Sequence, residues 1–210
     1  ERASARPPRE GSVGAGTGAR AGGIKGGVGD ASCVLADGTI VAALAVVNAA
    51  GSVIDASTGL PWHAVPAFGL RRPTADERRA LAGVLRQGPP AANTTIGVVA
   101  TDAHLTRADL VRLAAAAHDG LARAIRPAHL VNDGDTVFAL ATGRGPAAEP
   151  TSDAGLVGPS VQRLNQLISA TADVFATAVT RAVVLATGAP GFAAYRDLCP
   201  SAWPASGPEE

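Results

Sequence analysis

Asn93-Thr94-Thr95-Ile96-Gly97-Val98-Val99-Ala100-Thr101-Asp102 is the stretch on which the reading of this chain turns. Thr95 to Thr101 is rich in β-branched residues and has strand length, so it predicts a strand. A Pro-rich loop, Gly88-Pro89-Pro90, precedes it, and a helix start follows at Thr106. At the head of the predicted strand lies an Asn-Thr bond. Were that bond cut, Thr94 would become an N-terminus carrying a hydroxyl nucleophile and a free amine, and the amine could serve as base for the hydroxyl. An Asn-Thr-Thr string usually does no more than begin a strand, so the remainder of the chain decides between the two meanings.

Working outward toward the C-terminus, Thr106 with Asp109 at the third helical position caps a helix predicted over Arg107–Ile125. Its apolar residues Leu110, Leu113, Ala117 and Leu121 recur at helical spacing. Asn132-Asp133-Gly134-Asp135 reads as a turn, and Thr136 to Thr142 as a strand. Pro159 opens a long helix, expected to end near Thr187, that carries Leu164, Leu167, Ile168, Val174, Phe175 and Val179. From Gly188 onward the chain reads as loop.

Toward the N-terminus, the loop over residues 87–93 is preceded by a helix that starts on the capping box Thr74-Ala75-Asp76-Glu77 and runs to about Arg86. Residues 56–73 form a loop with Pro61, Pro66 and Pro73. Ala31 to Leu35 and Ile40 to Val47 flank Ala36-Asp37-Gly38-Thr39, a hairpin turn with the favoured Asp-Gly pair. Asn48-Ala49-Ala50-Gly51 predicts a further turn into Ser52 to Asp55. Residues 11–30 are Gly-rich, and residues 1–10 are charged, Pro-containing and linker-like. Strands, helix, strand, helix, strand and long helix follow one another without regular βαβ alternation or internal repeat. The fold class is therefore α+β, with sheets inside and helices outside.

Composition narrows the function classes. The chain has 210 residues, enough for one core or two small ones, and 47% of them are hydrophobic, as a globular chain requires. Aromatics are only 3%, so Ala, Val and Leu must fill the interior. The 18 basic and 18 acidic residues cancel, which argues against nucleic acid or an anionic membrane as main partner. No unbroken apolar run reaches the roughly 18 residues of a membrane span, and a cytoplasmic protein is expected. The chain begins at Glu1 and contains no Met, so further N-terminal sequence is expected to precede it. Cys33 and Cys199 could pair, but buried free thiols are the expectation. The four histidines, His63, His104, His118 and His129, lack ligand spacing, and no metal site is expected.

Three strings carry possible chemistry. Gly14-Ala15-Gly16-Thr17-Gly18-Ala19 matches the dinucleotide fingerprint G-x-G-x-x-A, but that motif needs a strand before it and a helix opening on it. A tail rich in Pro and Arg stands there instead, so the glycines are read as permitting close backbone approach. Asn132-Asp133-Gly134-Asp135 lacks the further ligands of a calcium loop. It is either a plain hairpin turn or a pair of carboxylates, two residues apart, pointing the same way. Lys25 stands among glycines: it is either solvated or held in a crowded site that alters its proton affinity.

Taken in order, GSVGAGTGA (11–19), IKGGVGDAS (24–32), VVNAAG (46–51), NTTIGVVATDAHLTRADLVRLAAAAHDGLARAIRP (93–127) and DGDTVFALATG (133–143) resemble one family. It is the self-processing aminopeptidase family of DmpA-type L-aminopeptidase/D-esterases, BapA-type β-peptidyl aminopeptidases and nylon-oligomer hydrolases, and the likeness spans Gly11 to about Thr187. The resemblance implies an αββα four-layer sandwich of the N-terminal-nucleophile type, lacking an N-terminal portion. It implies one domain cut between Asn93 and Thr94: a linker or remnant over 1–10, the C-terminal part of an α chain over 11–93, and a β chain over 94–210. Thr94 then matches the nucleophile, Asn48 the oxyanion-stabilising Asn, Lys25 a site Lys of the nylon-hydrolase branch, and Asp133 and Asp135 the pair that orients the nucleophile. A Thr with two Asp sides with that branch.

The same likeness implies hydrolysis of small peptide or amino-acid amides, or of ω-amino-acid oligomers, without metal or organic cofactor. It also implies a homo-oligomer in which α and β chains stay associated. Family members carry a long segment before the Gly-rich stretch that this chain lacks, and the span from Gly18 to Lys25 is shorter here. Two other readings stand beside it: a truncated, unprocessed relative acting as a structural or binding subunit, and nucleotide binding at Gly14 to Ala19.

Overall fold

The computed structural model describes residues 6–86, 93–146 and 158–204. The predicted Pro-rich loop at Gly88-Pro89-Pro90 lies outside the described residues. A two-stranded ribbon, β1 (Arg20–Ala21) and β2 (Ile24–Lys25), leads into β3 (Gly27–Val34), β4 (Ile40–Asn48), β5 (Thr94–Thr101) and β6 (Thr136–Ala141). These four form one sheet in the order β3-β4-β5-β6. β3, β4 and β5 are antiparallel neighbours, as the Asp37-Gly38 hairpin predicts, with Gly38 at φ 84°. β6 instead lies parallel to β5. The turn at Asn132–Asp135 is thus not a hairpin: the chain crosses back through the helix α2 (Arg107–Ala124) before entering β6, as parallel pairing demands.

Helix starts follow the sequence. Thr74 and Glu77 form a reciprocal capping box on α1 (Ala75–Leu85), and Thr106 and Asp109 do the same for α2. α3 (Pro159–Val184) stops short of the predicted Thr187. By length and composition α3 could cross a bilayer, but 67% of its most apolar stretch is buried in this protein, as for a core helix. The predicted tail loop also holds a helical turn, α4 (Tyr195–Leu198), and a 3-10 turn at Pro200–Ala202. They are fixed by the buried Tyr195 hydroxyl, which donates to the Gly59 carbonyl over 2.7 Å. A single polar tip reaching across the fold leaves no periodic signal in sequence.

Besides the β1–β2 ribbon, the described residues thus build one four-stranded sheet with one helix layer, α2 and α3, packed on it. Val41, Ala43, Ala45 and Val47 of β4 and Val99 of β5 face that layer and meet Phe175, Ala178, Val179, Ala182 and Val183 of α3 in one core. The core is as poor in aromatics as the composition requires. Two glycines make the approach possible. A Cβ at Gly29 would lie 2.1 Å from the Ala178 carbonyl oxygen, and one at Gly97 would lie 2.3 Å from the Phe175 ring. The opposite sheet face is open: Ile96, Phe138 and Leu140 are exposed on it.

Candidate active site

Thr94 is the first residue of β5, and its partner across the sheet is Asn48, the last residue of β4. Both face the open side, because strand residues alternate and Thr95 points into the core, where it is fully buried. They line a cavity of about 350 Å³ with Ala15, Gly18, Ala19, Val46 and Ile96. The walls are small and apolar, so the polar chemistry there belongs to Thr94, Asn48 and the backbone.

Three sets of contacts fix these side chains. The Thr94 hydroxyl donates to the carbonyl oxygen of Asn93, the residue before it. The Asn48 Oδ1 accepts from the Arg20 N–H over 3.0 Å. A backbone N–H can only donate, so that contact assigns the oxygen and turns the Asn48 amide NH2 away from Arg20. Asp133 accepts from the Ala50 N–H at 3.0 Å, and Asp135 from the Thr95 N–H at 3.0 Å. Asp135 is therefore tied to the residue after Thr94, and Asp133 to the second residue after Asn48. A parallel bridge between Asn93 and Asp133 carries β5 pairing one residue past the strand, and there the Gly134 N–H donates to the Asn93 carbonyl over 3.1 Å.

Burial pushes the Asp133 carboxyl above its usual range, and the neighbouring charge of Asp135 adds to this, while the Ala50 N–H works against it. The Asp135 carboxylate is almost completely enclosed, with His129 Nδ1 3.0 Å away. The His118 and His129 rings are 5.0 Å apart. Burial, and then the neighbouring His129, holds His118 below the ordinary range of an imidazole.

Lys25 is buried, so the solvated alternative fails. Its Nζ donates to the Thr17 carbonyl over 2.6 Å, which pins the Gly-rich turn that supplies Ala15 and Gly18 to the cavity. Burial, then the nearby Arg20 charge, lowers its proton affinity. Lys25 does not itself line the cavity. The nucleotide fingerprint does not take its required form: Gly14–Gly16 is a 3-10 turn, not the opening of an α-helix. Cys33 and Cys199 are both free; Cys199 is buried, with its thiol pushed up to about 11 by burial, whereas Cys33 is only half-buried. Among the described residues no group of three or more His, Cys, Asp or Glu is placed to hold a metal ion.

Sequence reasoning proposed Thr94, Asn48, Asp133 and Asp135 as site residues, and the fold brings all four to one end of the sheet. It missed the Gly134, Ala50 and Arg20 amides and the approach of His129. Backbone donors carry no letter in a sequence. His129 has only its separation of six positions from Asp135, which marks nothing by itself.

Two solved structures share the fold. One is the L-aminopeptidase D-Ala-esterase/amidase from Ochrobactrum anthropi, a variant of the Ntn hydrolase fold (28% identity, TM-score 0.58, 87% of this chain and 47% of that one). The other is a Burkholderia sp. beta-aminopeptidase (30% identity, TM-score 0.56, 86% and 48%). The class is therefore an α+β sandwich of the Ntn hydrolase type, with a hydroxyl residue at the head of a central strand. Residues 1–196 match Peptidase family S58, and the chain belongs to that family. An uncharacterized aminopeptidase of Mycobacterium tuberculosis (strain ATCC 25618 / H37Rv) is 50% identical over 200 residues, which cover 92% of this chain. A 6-aminohexanoate-oligomer endohydrolase of Kocuria sp. is 34% identical over 104 residues, 49% of this chain and 29% of that protein. The chain spans 58% of the length of the mycobacterial relative.

Proposed function

We propose that this chain belongs to a self-processing amide hydrolase of the aminopeptidase type, cut between Asn93 and Thr94 and using Thr94 as nucleophile. The observation that carries the reading is the Thr94 hydroxyl, already held against the carbonyl of its own preceding peptide. Attack closes a ring through Oγ1, Cβ, Cα and N of Thr94 and the Asn93 carbonyl carbon. As the C–N bond breaks, the nitrogen takes the proton that the hydroxyl gives up, and an ester joins Asn93 to Thr94 Oγ1. Water then hydrolyses the ester, leaving an Asn93 carboxylate and a terminal Thr94.

The freed amine has a reference pKa of about 7.7–8.0, so it is partly neutral near pH 7 and can act as base for the adjacent hydroxyl. Thr94 then attacks a substrate amide, and the Asn48 NH2 faces the developing oxyanion; such a donor is typically worth about 3–4 kcal/mol. Asp133 and Asp135 hold the strand head in register. The small apolar cavity suits small peptide or amino-acid amides, and the partial likeness to a 6-aminohexanoate-oligomer endohydrolase extends the candidates to ω-amino-acid oligomers. The two parts stay associated because the cut separates strands that pair along their whole length, β4 and β5. A homo-oligomer is part of the reading, and a cytoplasmic one, in keeping with two unpaired thiols.

Mass spectrometry and N-terminal sequencing of the complete gene product test this. The wild type should yield a chain beginning at Thr94. Thr94→Ala should remain one inactive chain, Thr94→Ser should still process, and Thr95→Ala should process nearly normally. A chain beginning at Thr95, or an active unprocessed Thr94→Ala protein, would sink the mechanism. An intact wild type with no hydrolase activity would instead favour a non-catalytic binding subunit.

A further inference from the structure

The carbonyl of the bond that Thr94 would have to open is held by a residue with no side-chain functional group. Gly134 donates its N–H to the Asn93 carbonyl oxygen over 3.1 Å. It also stands over the nucleophile: a Cβ built on it would lie 2.9 Å from Thr94 Oγ1 and 3.8 Å from the Asn93 oxygen. One glycine thus binds the attacked carbonyl and leaves open the space beside the attacking hydroxyl. Its position is fixed on both sides, since Asp133 is bound to the Ala50 N–H and Asp135 to the Thr95 N–H.

We propose that the Gly134 N–H is the oxyanion donor of self-cleavage, and that this position is a glycine so that the Thr94 hydroxyl can pass beneath it to the Asn93 carbonyl. The proposal rests on the reading that Asn93–Thr94 is the bond cut. In the step concerned, the Thr94 Oγ1–C bond forms as the carbonyl π pair moves onto the Asn93 oxygen, where Gly134 holds it. The pair then returns as the C–N bond breaks, and the proton lost by the hydroxyl ends on the Thr94 nitrogen. Hydrolysis of the ester consumes one water. The donor is a hydrogen bond of the parallel bridge between Asn93 and Asp133, so it is in place before any charge develops. Asn48 is a separate donor in the cavity, assigned to the substrate carbonyl.

The test replaces Gly134 in the complete gene product with glycolic acid, which exchanges the N–H for an ester oxygen and changes little else. Self-cleavage should slow by about a hundredfold or more, the usual effect of removing one oxyanion donor. In a Thr94→Ala background, where the hydroxyl no longer reaches the Asn93 oxygen, the same exchange should raise the infrared stretching frequency of an isotope-labelled Asn93 carbonyl. Gly134→Ala keeps the N–H but crowds the hydroxyl, and should also slow cleavage, by at least tenfold. Cleavage of the glycolic-acid variant at the wild-type rate, or an unmoved carbonyl frequency, would overturn the donor role. Wild-type cleavage in Gly134→Ala would overturn the steric one. A wild type that never cleaves would fail at the earlier step and bring down the processing reading with the proposal.

Discussion

At the scale of single residues, Asp133 has an acceptor oxygen on the Ala50 N–H, yet burial and the Asp135 charge favour its protonated form. Its folded-state proton affinity is raised above the unfolded value. The stability that this contributes is complete below the ordinary carboxylate range, near pH 4, and is lost as pH rises through the higher folded value. Asn resembles the protonated acid and does not lose it. In the non-cleaving Thr94→Ala background, Asp133→Asn should therefore melt at or above the parent temperature near pH 7, with the gap closing as pH falls toward 4. In the otherwise wild-type protein the same substitution should cut self-cleavage and turnover severely. Melting curves across pH check the first half; a clearly lower melting temperature at pH 7 would mean that the ionised carboxylate is structural. Thr94 and the two Asp stood out as candidates by residue type and spacing, whereas Asn48 entered only through the family resemblance. The Ala50, Thr95 and Gly134 amides that hold them did not stand out, because every peptide unit offers the same N–H.

At the scale of elements, the capping boxes at Thr74 and Thr106 set helix starts that local hydrogen bonding alone decides, and both fall where the sequence puts them. The partner of a strand is another matter. Thr136–Ala141 is recognisably a strand, but only the passage of α2 between β5 and β6 makes their pairing parallel. Packing between layers likewise depends on distant residues. Gly97 of β5 leaves the space that the Phe175 ring of α3 fills. Gly97→Ala should destabilise the protein by about 1–3 kcal/mol, the typical result of overpacking. Phe175→Leu, added to it, should recover part of the loss, since a smaller side chain relieves the same contact. Denaturant unfolding of both single variants and the double variant reads the coupling; strictly additive effects would show that the two residues do not share the space.

At the scale of the whole molecule, the site opens on the sheet face opposite the helices. There Ile96 is 51% exposed, Phe138 62% and Leu140 45%. Ile96 alternates with buried Thr95 and Gly97, and Phe138 and Leu140 of the edge strand β6 with half-buried Val137 and Ala139, so the three share one face of the sheet. The 210-residue chain by itself should bind a dye specific for apolar surface and self-associate with rising concentration. Ile96→Thr together with Phe138→Thr should reduce both, as read by dye fluorescence and light scattering; a monodisperse, dye-silent parent chain would contradict this.

What the sequence determined by itself was local or chemical. Period and capping gave the elements, the Asp-Gly turn gave the hairpin, and the residue types at positions 94, 133 and 135 suggested the candidate chemistry. Each of these depends on interactions within a few positions or on a side chain's own functional group. Only the tertiary structure decided that β6 runs parallel to β5, that residues 195–202 form helical turns under Tyr195, that Lys25 braces the Gly-rich turn through the Thr17 carbonyl, and that Gly134 meets the Asn93 carbonyl. Those outcomes rest on contacts between groups far apart in the chain, several of them backbone amides and carbonyls, which are the same at every position until the fold brings particular ones together.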